Sequence, residues 1–453
     1  MYRYKSQIYI LFDIIFIVGS FLISSCILFE GRVCSDHLLA NALPLTWMVL
    51  LTLSVFYLMD LYFFRRDFTD FTDQLNLFVS LLFVFAGELI IFNSYSSFRV
   101  LGGRFLLLDL VFKVFLFFFG KAFLSSILKK YVKRQRALII GDKQASERAI
   151  KFIKAHPELD IDMLGIVSDN KIISDSVEGI PVLGKSDELL DIVRKNNISL
   201  IIISSTTESQ TLHETLIFCH QNNIYLIRFE RLYENVMKKI PYELIDGKQL
   251  LDYCLMQDKF KIFRTKRFFD VLSSLLLLLV SLPIMGIAAL LIKWLSPGPV
   301  FYLQTRSGVR GKPFKLIKFR TMHVGAETET GPTFTIKDDK RVTPIGRFLR
   351  HTHIDEIPQL VNVLKGDMSF IGPRPERPEF ILKLEKRIPF YSLRLFVKPG
   401  ISGWAQIAYQ YVSTLEGMKE KFRYDLYYLK HLSFMFDFKI VVQTILYVLT
   451  KRG

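Results

Sequence analysis

Cysteine is scarce: Cys26, Cys34, Cys219 and Cys254 are scattered through a chain of 453 residues. No two have the spacing of a metal knuckle or a redox pair, which excludes a disulfide scaffold and points to a reducing, cytoplasmic setting. No small-residue cleavage site follows the first apolar run, so Ile8–Phe29 reads as a retained helix rather than a signal peptide. Acidic residues are in deficit, with 43 Asp and Glu against 59 Lys and Arg and a formal net charge of +16. The basic residues sit beside apolar runs, the pattern of a protein that lies against anionic lipid and handles anionic substrates, not of a nucleic-acid binder.

What the chain has in abundance is apolar surface. Hydrophobic residues make up 51%, Phe alone numbers 41, and the mean hydropathy is +0.29. That composition predicts a membrane protein, and the length predicts two to four domains. Ile8–Phe29, Leu43–Phe64, Leu75–Phe92 and Phe105–Leu128 each fit a transmembrane helix. Arg3 and Lys5, Arg65 and Arg66, and the run Lys129, Lys130, Lys133, Arg134 and Arg136 place their flanks in the cytoplasm, outweighing Arg99 and Arg104 on the other side. Glu88, Asp109 and Lys113 lie within these runs, and Glu88 with Lys113 makes a candidate interhelical pair.

From Arg136 the pattern becomes strand and helix in alternation. Strands are expected at Ala137–Gly141, Met163–Asp169, Ser199–Ser205 and Ile224–Phe229, with helices at Ser146–His156, Lys185–Asn196 and Thr211–Asn222. Near-continuous apolar strands between helices predict a parallel, Rossmann-like sheet. The turn after the first strand has Gly141 alone where a dinucleotide fingerprint needs three glycines, and Asp142 repels a pyrophosphate. The expectation is therefore a regulatory or oligomerisation module, and a dimer through this domain or the membrane region is left open.

Lys266–Trp294 has the hydropathy of a fifth span, yet both flanks are basic: Lys261, Arg264, Lys266 and Arg267 before it, Lys293, Arg306, Arg310, Lys312 and Lys315 after it. Pro283 removes a backbone hydrogen bond inside the run, and the stretch after it is about eleven residues, roughly 16 Å, too short for a ~30 Å hydrocarbon core. A helix over about 267–294 that enters, bends at Pro283 and returns to the same face satisfies both facts.

The most chemically loaded stretch is Arg347–Glu379, where Asp355 and Glu356 follow Arg347, Arg350, His351 and His353 and precede a Gly/Pro/Arg run bearing Arg374 and Arg377. Adjacent carboxylates ringed by guanidinium groups suit phosphoryl transfer, as nucleophile or metal ligand beside charge-neutralising donors. The competing reading is a surface salt-bridge network. Leu432–Leu449 is apolar but carries Asp437, Lys439 and Gln443, as expected of a helix lying in the membrane interface.

The stretches Ser296–Met322, Arg347–Phe380, Val397–Gln406 and Phe422–Leu429 resemble the bacterial sugar transferase family, the monotopic polyprenyl-phosphate hexose-1-phosphate transferases. The resemblance covers nearly all of Lys261–Tyr447, and the first half resembles the family's long form in architecture. It implies a membrane protein of α plus α/β class. Its parts are a four-helix transmembrane region (1–130), a Rossmann-like domain (131–258) and a mostly helical monotopic catalytic domain with the re-entrant helix (259–453). The implied reaction moves a hexose 1-phosphate from a UDP-sugar to undecaprenyl phosphate, releasing UMP and starting polysaccharide assembly at the cytoplasmic face of the bacterial inner membrane. Asp355 is the implied nucleophile, forming an acyl phosphate. Glu356 helps hold Mg²⁺ or orients the dyad, and Lys318, Arg320, Arg350 and Arg374 contact phosphate. His351 and His353 are not expected to bind metal, and Trp404 is expected to pack. Where the family's kink is a Ser-Pro pair, this chain has Ser281-Leu282-Pro283. Two other classes remain: a membrane-anchored nucleotide-binding regulator without transferase activity, and a nucleotide-sugar dehydratase or epimerase working through the middle domain.

Overall fold

The structure, a computed structural model, describes residues 2–28, 42–59, 61–62, 68–94, 102–131, 134–168, 176–204, 217–222, 224–248, 250, 259–326, 339, 341–409 and 414–450. Cys34, Cys254, Arg65, Arg66, Arg99, Lys133 and the expected helix start at Thr211 lie outside the described residues. The chain packs as two units, Met1–Phe229 and Glu230–Gly453.

The first unit begins with helices α1 (Tyr2–Leu28), α2 (Ala42–Leu58), α3 (Phe71–Ser94) and α4 (Gly102–Tyr131). By length and apolarity, Gln7–Leu28 and Asp73–Asn93 qualify as membrane spans, as does Ile262–Leu295 in the second unit, giving three such helices among the described residues. The expected four-run pattern is not matched on this measure. Helix α2 has only 17 residues, and α4 carries Asp109, Lys113 and Lys121 along its middle. Those charges face inward and are paired. Lys113 Nζ lies 2.5 Å from Glu88 on α3 and 2.7 Å from Asp109, and Lys121 Nζ lies 2.9 Å from Asp13 on α1. Lys121 is also surrounded by the rings of Tyr9, Phe56, Tyr62, Phe68 and Phe117 at 4.7–5.8 Å. Burying an ammonium is costly unless it is paired, and here each one finds a carboxylate on another helix.

A six-stranded sheet follows, built from β1 (Gln135–Ile140), β2 (Ile161–Val167), β3 (Ser176–Val177), β4 (Ile180–Gly184), β5 (Leu200–Ile203) and β6 (Tyr225–Arg228). Its order is β3-β4-β2-β1-β5-β6, parallel except for the β3–β4 pair. Helices α5 (Lys143–Lys154) and α6 (Leu189–Asn196) connect strands, as alternation predicts. The β3–β4 hairpin was not foreseen. It turns on Glu178 and Gly179, both at positive φ (52° and 81°), a two-residue turn whose twist matches the strands. A Cβ on Gly141 would stand 2.1 Å from Ser204 Oγ, so packing between strand ends accounts for this glycine.

The second unit begins at Glu230. Helix α7 (Phe229–Met237) leads into Ile240, Tyr242 and Leu250, which are buried in one core with Ile371, Tyr391, Phe422 and Tyr428. Next comes α8 (Lys259–Leu295), 37 residues long with Pro283 inside it. Proline at 283 frees the carbonyl of Leu279, whereas Ser281 Oγ donates to Leu278 O at 3.2 Å, so the serine does not satisfy the freed group. Most of the segment from Val271 to Ile287 exposes its apolar side chains. Both ends are held by the same unit. Arg267 donates to the carbonyls of Val363 and Leu364, Asp270 Oδ1 accepts from Ser369 Oγ and Phe370 N at 3.0 Å, and Ala288 and Ile292 pack with Phe319 and Leu349.

The rest comprises hairpin β7 (Phe301–Ser307) and β8 (Pro313–Phe319), α9 (Pro344–His351), α10 (Gln359–Lys365), β9 (Ser369–Ile371), α11 (Pro378–Glu385), β10 (Gly400–Ser402), α12 (Trp404–Ala408), α13 (Leu415–Lys430) and α14 (Phe434–Thr450). Helix α13 is the centre of the core. Trp404 is buried beside it and donates its indole N–H to Lys238 O at 2.8 Å. On α14, Phe434, Met435, Phe438 and Ile445 are exposed, while Asp437 pairs with Lys266 and accepts from Tyr428 Oη.

Candidate active site

Three pieces of chain converge on the acidic pair. The first is β8, which carries Lys318. The second is α9 with the turn after it. Thr343 caps the helix by accepting from Gly346 N at 3.0 Å, Pro344 occupies the first turn, and His353 reverses the chain in the left-handed region (φ 57°). A 3₁₀ turn, Ile354–Glu356, then presents both acids, and Pro358 starts α10. The third is the segment after β9, which carries Arg374. The first two are locked together by Asn362 on α10, which accepts from Ile317 N at 3.0 Å and donates to Lys315 O at 2.8 Å along β8. Gly346 allows the close approach of α9, since a Cβ there would lie 2.0 Å from Thr321 O.

The two acids differ. Glu356 Oε1 accepts from Lys318 Nζ at 2.6 Å and from Arg374 Nη2 at 3.0 Å. Burial works against its charged form, but Arg374 and Lys318 outweigh that and hold the Glu356 carboxyl well below the usual range. Asp355 is 8% exposed and makes no hydrogen bond or ion pair among the described residues. Burial raises its carboxyl above the ordinary 3.8, with Lys318 the strongest charge opposing the rise and Glu356 adding to it. Burial likewise lowers Lys318, against the pull of Glu356.

Arg350 donates from Nε to Thr321 Oγ1 at 2.8 Å, and its charge reaches Asp355 and Asp339. Asp339, not singled out from the sequence, is clamped by Arg341 at 2.6–3.2 Å. Arg320 does not join the group. Strand β8 ends at Phe319, and the Arg320 guanidinium turns to the carbonyls of Ser296 and Pro297, bracing the loop after α8. It reads as structural rather than phosphate-binding. His351, His353 and Arg347 are exposed.

No cluster of three or more His, Cys, Asp or Glu arranged for a metal is found among the described residues. The pair still fits Mg²⁺, an ion that takes one or two carboxylates and completes its shell with water and phosphate oxygens. Asp355 is unpaired, and both cations on Glu356 use Oε1, leaving Oε2 without a partner among the described residues.

Residues 261–451 match the family described as bacterial sugar transferase, and residues 59–224 match one described as CoA-binding domain. The UDP-glucose:undecaprenyl-phosphate glucose-1-phosphate transferase of Xanthomonas campestris pv. campestris is 30% identical over 73% of this chain and 70% of its own length. The chain belongs to the bacterial sugar transferase family. Two other members share more identity over less length. The UDP-N-acetylgalactosamine-undecaprenyl-phosphate N-acetylgalactosaminephosphotransferase of Aeromonas hydrophila is 44% identical over 42% of this chain and 44% of its own. The Escherichia coli K12 enzyme named like that of Xanthomonas is 46% identical over 39% and 38%. Within this sugar transferase, Lys318, Asp355, Glu356 and Arg374 form one cluster of charges, and the charge of Arg350 reaches Asp355. Asn362, which docks the helix following the acids, carried no signal in the sequence.

Proposed function

We propose that this sugar transferase moves a hexose 1-phosphate from a UDP-hexose to undecaprenyl phosphate through a covalent intermediate on Asp355. A carboxylate oxygen of Asp355 forms a bond to the sugar-bearing phosphorus while the bond from that phosphorus to the UMP oxygen breaks. An oxygen of the lipid phosphate then attacks the same phosphorus, completing the lipid diphosphate sugar and freeing the carboxylate. The observation that carries the reading is the asymmetry of the pair: Glu356 is held charged by two cations, while its neighbour Asp355 is enclosed and, among the described residues, unpaired. A pair kept only for stability gains nothing from an unpaired buried acid, whereas a nucleophile needs one. Lys318 and Arg374 offset charge on the donor phosphates, and the charge of Arg350 also acts on Asp355. Glu356 Oε2 and Asp355 would hold Mg²⁺, which when bound neutralises donor phosphate charge.

The same reading puts the site at the cytoplasmic surface of the inner membrane. In support, Arg267 and Ile292, which a straight helix would separate by roughly 37 Å, are both anchored in the second unit, with exposed apolar residues between them. Such a helix enters and leaves by one face. We assign four helices to the membrane region, α4 included because its three charges are internally paired, and three domains to the chain. The test is a panel of UDP-glucose, UDP-galactose and their N-acetylated counterparts with undecaprenyl phosphate and Mg²⁺, scored by UMP. At least one donor gives UMP with the wild type and none with Asp355→Asn; release by the variant at the wild-type rate removes the nucleophile.

A further inference from the structure

Prolines 373, 375 and 378 make the segment carrying Arg374 rich in acceptors and poor in donors, since proline has no N–H. Such a strand cannot pair with a sheet in the ordinary way, and its carbonyls need donors from elsewhere. Four consecutive carbonyls find one each. Pro373 O accepts from Gly400 N at 3.0 Å, Arg374 O from Arg394 Nη2 at 3.0 Å, Pro375 O from Arg306 Nη1 at 2.9 Å and Glu376 O from Ser307 N at 2.9 Å. The Glu376 carboxylate accepts from Lys421 Nζ at 2.6 Å.

Arg394 is the centre of this clamp. It is 2% exposed and lies against the Tyr391 ring at 5.2 Å, with Nε and Nη2 3.0 and 2.9 Å from Asp425 on α13. The Nη2 that meets Asp425 also reaches the backbone of Arg374, so one rigid fork ties the central helix to the residue whose side chain meets Glu356. A lysine has the charge but not the fork.

We infer that Arg394 is a positioning residue, with Arg306 as its second strut: it fixes the backbone of Arg374 so that the Arg374 guanidinium is already aimed at the donor phosphates before substrate arrives. The inference rests on the transferase reading above. It places the preorganisation of the site in a buried network that never touches substrate.

A double-mutant cycle on the full-length protein in detergent tests it, with Arg374→Ala, Arg394→Lys and the combined variant, read as kcat/KM for UMP release and as Kd for UDP. Arg394→Lys alone is expected to lower kcat/KM by about ten- to a hundredfold. Added to Arg374→Ala it changes little, within about twofold, because the side chain it aims is gone. Losses that multiply, or an Arg394→Lys enzyme with wild-type kcat/KM, overturn the inference. If Arg394→Lys has no folded thermal transition, Arg306→Lys carries the same cycle at the neighbouring carbonyl. A wild type that releases no UMP from any donor sinks the transferase reading instead, and the cycle on UDP binding then still decides whether Arg394 acts through Arg374.

Discussion

Lys318→Met separates the two acids by their pH behaviour. Lys318 Nζ is bonded to Glu356 at 2.6 Å, and it is also the strongest charge opposing the rise that burial imposes on Asp355. A nearby opposite charge lowers a carboxyl pKa, so removing Lys318 should raise Asp355 further. The nucleophile is the ionised form. Activity is therefore present above the Asp355 pKa and lost as pH falls through it, and the acid limb of the variant's profile moves to higher pH. The plateau should also fall by about a hundredfold or more, since a cation facing phosphate is gone. Single-turnover UMP release without lipid acceptor is the assay, because it excludes titration of the acceptor phosphate. Arg374→Met is the comparison: Arg374 acts chiefly on Glu356 and more weakly on Asp355 than Lys318 does, so its plateau should fall while the limb moves less than in Lys318→Met. A Lys318→Met profile with an unmoved limb would refute the assignment of Asp355 as the titrating nucleophile.

Gly346→Ala forces a Cβ onto Thr321 O, a backbone atom that cannot yield cheaply, so α9 should shift, Arg350 should lose Thr321, and both activity and melting temperature should drop; unchanged kinetics and melting would show that the contact yields. Lys113→Met strands Glu88 and Asp109 in the membrane bundle, a loss of about 3 kcal/mol or more, and the folded fraction in size-exclusion profiles should recover in part when Glu88→Gln is added. Single cysteines replacing Arg264 and Leu295, in a background lacking the native four, should both resist an impermeant maleimide in spheroplasts and react once the membrane is opened; labelling of only one in intact spheroplasts contradicts the re-entrant helix.

The acids and their cations were readable from residue order because the turn that presents them is local: a helix end, a reversal at His353 and Pro358 lie within a few positions. The direction Arg320 takes is not legible from its proximity to Lys318, which says nothing about where β8 stops, and beyond Phe319 the chain no longer alternates faces. Asn362, Arg306, Arg394 and Asp425 were invisible for a deeper reason. Each acts on a backbone group or an ion from another part of the chain, and no local pattern marks such a partner. The sheet was legible from apolar strands, but the β3–β4 hairpin was too short to show alternation. The boundary at Phe229 was also hidden, since α7 continues the strand–helix rhythm of the first unit while its following residues pack onto Phe422 of the second.

The central claim is that Asp355 carries the phosphorylated sugar. Full-length protein incubated with its UDP-hexose and Mg²⁺ but no lipid, quenched in acid and digested, should give the Asp355 peptide with one added hexose phosphate. Undecaprenyl phosphate added before the quench should remove that adduct. Stoichiometric UMP with no adduct at Asp355, under conditions that preserve a control acyl phosphate, would contradict the account.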